Sequence, residues 1–86
     1  MLIEKGMIVK SIAGRDQNRF FLVLDTDEVF AYIADGCLRP LEHPKKKRVK
    51  HLARTNETAD IAEAATNRRL RKLLAAYNGP SEETGG

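Results

Sequence analysis

Between Gly6 and Leu41, short apolar runs alternate with polar turn signals at regular intervals, a rhythm that predicts a small barrel or sandwich of strands. Met7 to Ala13 is rich in β-branched residues and ends at Gly14-Arg15-Asp16-Gln17-Asn18, where glycine and asparagine both tolerate positive φ. Phe20 to Leu24 is unbroken apolar sequence, as expected of a strand covered on both faces. Asp25 to Glu28 supplies a polar turn, and Val29 to Ala34 resumes the strand pattern. The dipeptide Asp35-Gly36 predicts a tight hairpin that returns Cys37 to Leu41 as the antiparallel partner of Val29 to Ala34. Pro40 and Pro44 then confine the chain to an edge or loop, and Val49 to Leu52 reads as a last short strand.

After Arg54 the composition shifts to alanine, leucine, arginine and glutamate, which predicts one or two helices. Thr55, Asn56 and Thr58 are candidate N-caps, with Asp60 and Glu63 placed to meet the positive end of a first helix. Thr66-Asn67 interrupts the pattern and offers a cap for a helix over Arg68 to Tyr77. Leu70, Leu73, Leu74 and Tyr77 of that segment share one face. The expected organisation is a β unit over residues 1–54 that includes the basic segment 44–54, a helical segment over 55–78, and a disordered tail over 79–86. The fold class is therefore mainly β with C-terminal α.

Charge changes this picture from a scaffold to a surface. Lys45, Lys46, Lys47, Arg48, Lys50 and Arg54 place six cations in ten residues with no carboxylate among them. Residues 1–44 carry five basic and seven acidic side chains, and residues 55–86 four and five, so the whole net charge of +3 originates in this run. Such a patch suits a polyanion. With 86 residues the chain is one small domain at most, and a deep enzyme cleft is not expected. A single cysteine, Cys37, excludes an internal disulfide and a multi-cysteine zinc site, and fits a reducing cytosol. His43 and His51 lack metal-ligand spacing, no phosphate-binding glycine loop is present, and no cofactor is implied. No apolar stretch has the length of a signal peptide core or a membrane span, so the chain is expected to be cytoplasmic, with no membrane partner.

Gly6 through Leu24 resembles the KOW motif of ribosomal and transcription-elongation proteins. Gly6 opens it, Val9 to Ile12 forms its first strand, Gly14-Arg15-Asp16-Gln17-Asn18-Arg19 matches its loop, and Leu22 to Leu24 its second strand. Asn18 takes the loop's second glycine position, and Phe21 stands where the family's hallmark glycine would be. In this the chain is similar to divergent KOW ribosomal proteins of archaeal and eukaryotic large subunits and to small bacterial KOW-type RNA-binding proteins. The resemblance implies an SH3-like barrel and a non-enzymatic RNA-binding role, with ribosomal RNA as the expected partner. It also implies that Arg15 and Arg19 contact phosphate while Asn18 fixes the register.

On this reading the RNA-binding residues are Arg15, Asn18, Arg19, Lys45, Lys46, Lys47, Arg48, Lys50 and Arg54. Arg68, Arg69, Arg71 and Lys72 widen the surface if their helix packs beside the run. Other readings compete. Pro44 to Lys50 has the composition of a solvated linker, and also that of a nuclear-import signal. Phe20, Phe30 and Tyr32 are either core or a stacking surface for bases. The whole unit is alternatively a protein-interaction module docking on RNA polymerase, a ribosomal protein or a ribosome factor.

Overall fold

The computed structural model describes residues 3–79. Five strands form one antiparallel sheet: β1 (Met7–Ser11), β2 (Phe20–Thr26), β3 (Phe30–Ala34), β4 (Lys45–Arg48) and β5 (Leu52–Thr58). A single 3-10 turn, Val49–His51, joins β4 to β5, and one helix, α1 (Asn67–Asn78), completes the chain. The strand order is β4-β3-β2-β1-β5, so the sheet stays open, with β4 and β5 as its edges. Among the described residues no helix is long and apolar enough to cross a membrane.

Both faces of the sheet are covered, which explains the unbroken apolar runs. Met7, Val9, Phe21, Val23, Ala31, Ile33 and Leu52 bury on one face with Ile3. Ile8, Leu22 and Ala34 alternate to the other, where Leu70 and Leu74 of α1 and Ala64 cover them. The leucine stripe thus docks as its spacing predicts, with Leu73 and Tyr77 packed at its margin. Thr66 caps the helix by accepting a hydrogen bond from the Arg69 amide at 3.1 Å. At the far end Asn78 mimics a strand, its Oδ1 accepting from the Phe20 amide at 2.8 Å and its Nδ2 donating to the Phe20 carbonyl at 3.1 Å.

The sheet does not close into the expected barrel, and Val49 to Leu52, expected as a last short strand, is a 3-10 turn that enters β5 only at Leu52. Two further expectations fail for reasons of tertiary structure. Cys37 to Leu41 does not return along β3. Instead the Asp35 carboxylate accepts from the amides of Cys37 and Arg39, closing a side-chain-capped turn, and β4 takes the place beside β3. Gly36 lies at φ 80°, and a Cβ there would collide with the Asn67 carbonyl at the start of α1. The glycine is therefore demanded by a helix crossing the turn rather than by a hairpin.

The second failure is the start of the helical segment at residue 55; of the one or two helices expected, one is present among the described residues. Thr55 to Thr58 continue β5, so the boundary expected at Arg54 falls inside a strand. Free pairing sites on β1 decide this: Val9 pairs with Arg54, Met7 with Thr58, and the Thr55 hydroxyl donates to the Ile8 carbonyl at 2.6 Å. Residues 61–64 make only a turn, with Asp60 accepting from the Ala62 amide. The tail expected over 79–86 lies, beyond Gly79, outside the described residues.

Candidate nucleic-acid interface

The basic run begins as β4 itself. Pro44 precedes it, and its partner is β3 in the register Ile33–Lys45, Tyr32–Lys46, Ala31–Lys47 and Phe30–Arg48. Strand geometry sends successive side chains to opposite faces. Lys45 and Lys47 thus turn to the face of the buried Ala31 and Ile33, and Lys46 and Arg48 to the face of Phe30 and Tyr32. An ordered edge strand, neither linker nor loop, carries the charge. Lys50 follows in the 3-10 turn and Arg54 on β5.

Lys47 departs from the expected role. Its side chain is only 7% exposed, and its ammonium donates to the Ala13 carbonyl at 2.6 Å and to Asp16 Oδ1 at 2.7 Å. The Ser11 hydroxyl donates to the same oxygen at 2.8 Å. Burial alone would raise the Asp16 carboxyl, but hydrogen bonds from Lys47 and Ser11, with the charges of Lys47 and Lys45, hold it below the usual carboxylate value. Lys47 is therefore a strut under the β1–β2 loop, its charge already neutralised. Asn18 completes that loop at φ 76°, the left-handed conformation its position predicts, and its amide donates to the Ser11 carbonyl at 2.7 Å.

The loop so bonded brings Arg15 to a cleft of about 530 Å³ shared with Arg39 and Lys45 and lined by Phe21. Arg19 turns the other way. Its guanidinium meets Asp35 at 3.2 Å beside Arg71 and Lys72 of α1, and Arg71 Nη1 donates to the Gly36 carbonyl at 3.4 Å. Two cationic clusters thus flank the loop and the Asp35–Arg39 turn. Arg68 and Arg69 are exposed at the start of α1, apart from both clefts' linings.

Arg15, Lys45, Lys46, Arg48 and Lys50 form no ion pair within the described residues. Lys46 Nζ instead lies 4.4 Å from the centroid of the Phe30 ring, and the Arg48 guanidinium 5.4 Å from it. Among the described residues no group of three or more histidine, cysteine or carboxylate side chains could hold a metal.

Sequence reasoning missed the Lys47–Asp16 pair and the part of Arg39. The strand period within the run, which puts Lys45 and Lys47 on one face and Lys46 and Arg48 on the other, was the available signal for the first. Nothing local marked Arg39. No family model matches the chain, and no curated protein matches it either.

Proposed function

We propose that this chain is a non-enzymatic, cytoplasmic RNA-binding protein of the KOW type, contacting ribosomal RNA of the large subunit through a basic surface. The observation that carries this reading is that the run forms the free edge of the sheet. A polyanion laid along an edge reaches side chains of both faces, so Lys45, Lys46 and Arg48 become accessible together. Arg15 joins them across the cleft beside Lys45, and Lys50 extends them past the end of the strand. An SH3-like frame is supported by the meander β1 to β4 whose fifth strand returns to pair with β1. The left-handed Asn18 supports the KOW-type loop.

Protein docking would be favoured by bare aromatics beside a sheet edge. Phe21 is buried, Phe20 packs on Tyr77 with centroids 5.4 Å apart, and Phe30 lies under two cations. Phe30 and Tyr32 stay partly exposed beside β4, but Arg48 and Lys46 stand directly across from them, and that charge weighs towards RNA.

Counterion release supplies the test. With Lys47 withdrawn, Lys45, Lys46, Arg48, Lys50 and Arg15 would neutralise five phosphates of a single strand, giving a slope of log K against log salt of roughly −3.5, at about 0.7 per phosphate. Binding to ribosomal RNA fragments is measured by fluorescence anisotropy over a salt series. A slope near zero, or no binding at low salt, overturns the proposal.

A further inference from the structure

We propose that the outer face of β3 and β4 is a stacking platform for unpaired nucleotides of single-stranded RNA, with Phe30 and Tyr32 as the stacking rings. The inference rests on the RNA-binding reading above and adds the structural state of the RNA that the site takes.

The face follows from strand parity. Ala31 and Ile33 are fully buried, so Phe30 and Tyr32 point to the opposite side of β3. On that side α1 covers Ile8, Leu22 and Ala34, and its packing reaches β2. Phe30 and Tyr32 belong to neither core cluster and are both partly exposed. They therefore sit on the part of the sheet that the helix leaves uncovered. An aromatic pair on an uncovered strand, two residues and about 6.6 Å apart, gives one ring to each of two splayed bases.

Charge complementarity names the occupant. Directly across from the two rings stand Arg48 and Lys46, and both cations lie over Phe30. An exposed cation–π contact is weaker than the stacking of a base on an aromatic side chain. An incoming base displaces the cations from the ring, and the strand's own phosphates receive them. Asp27 is tied to the amides of Val29 and Phe30, at 2.8 Å each, and fixes the start of β3. With Glu28 it lines the shallow cleft next to Phe30 and Lys46, and Asp25 pairs with Tyr32 from β2, so the carboxylates direct the phosphates to the β4 side. A duplex keeps its bases stacked on one another and presents no free ring face in its interior, so the platform selects loops, bulges and single-stranded ends.

The test compares a labelled oligouridine with a blunt RNA duplex of equal length. Phe30→Leu and Tyr32→Leu keep apolar bulk but remove the rings, and thermal melting verifies that each variant is folded. Each should weaken oligouridine binding by about five- to 150-fold, with the salt slope and the duplex affinity unchanged. In a Tyr77→Phe background Tyr32 is the only tyrosine, and its emission should be quenched by oligouridine and not by duplex. Undiminished oligouridine binding by folded Phe30→Leu and Tyr32→Leu overturns the platform, as does unquenched Tyr32 at saturation or a parent protein that binds duplex alone. In each of those cases, steep salt dependence of the remaining binding keeps the RNA-binding reading. Failure of the parent protein to bind either RNA overturns both.

Discussion

Replacing Lys47 with methionine should cripple folding rather than RNA contact. The ammonium and the Asp16 carboxylate are 7% and 10% exposed, and removal of one partner leaves a buried charge with only the Ser11 hydroxyl to hold it. Breaking a buried pair in this way costs about 3 to 5 kcal/mol. The lower end applies here, because Asp16 sits in a loop at the margin of the core. A chain of this length has a total stability of roughly 4 to 13 kcal/mol. A loss of about 3 kcal/mol should lower the thermal midpoint by about 12 to 24 °C.

Acid titration separates this account from a generic packing defect. The folded Asp16 carboxyl is held below its ordinary value, so its stabilising contribution is present above about pH 4 and is lost as pH falls through that lowered value. In Lys47→Met the burial remains while the cation is gone, and protonation relieves the unpaired carboxylate. The gap in stability between parent and variant should therefore narrow as pH falls below about 4. Chemical denaturation over a pH series measures it. A midpoint within about 4 °C of the parent, or a gap that does not change with pH, would refute the strut. At low temperature, where the variant is folded, its salt slope for RNA should equal that of the parent.

The double substitution Lys45→Gln with Lys46→Gln removes two of the proposed phosphate contacts and leaves the hydrogen bonds of the Lys47 strut in place, losing only the smaller pull of the Lys45 charge on Asp16, so the salt slope should fall by about 1.4 with little change in melting temperature. Gly36→Ala should lower stability by about 2 kcal/mol or more, since a Cβ meets the Asn67 carbonyl at a positive φ; denaturant midpoints measure this. Asn78→Ala unlatches both polar groups of Phe20 from the end of α1. It should cost about 1 to 2 kcal/mol, with faster amide exchange over the last turn of the helix.

Much of the frame is legible in local pattern. The first three strands, the left-handed Asn18 and the stripe of Leu70, Leu73, Leu74 and Tyr77 depend on residues close in sequence, and spacing reveals them. What sequence reading missed depends on distant partners. The Lys47 strut is set by Asp16, 31 residues away, and a lysine among lysines gives no sign that one of them is neutralised. Thr55 joins a strand because Ile8, 47 residues earlier, offers a carbonyl at an open edge. Asp35-Gly36 carries the local signature of a hairpin, yet its use is decided by the approach of α1. The basic run is legible in the sequence as a segment of chain, but its division between two faces required β3 to be known as its neighbour.

The placement of β4 at the border of the sheet also bears on self-association. A border strand exposes backbone amides and carbonyls that can template a second copy, and lysine-rich composition is a means by which proteins discourage this. Lys46 and Arg48 put like charges along that border, so two molecules meeting β4 to β4 repel before their backbones can pair. Neutralising substitutions on this strand should thus raise the tendency to aggregate as well as weaken the proposed RNA contact.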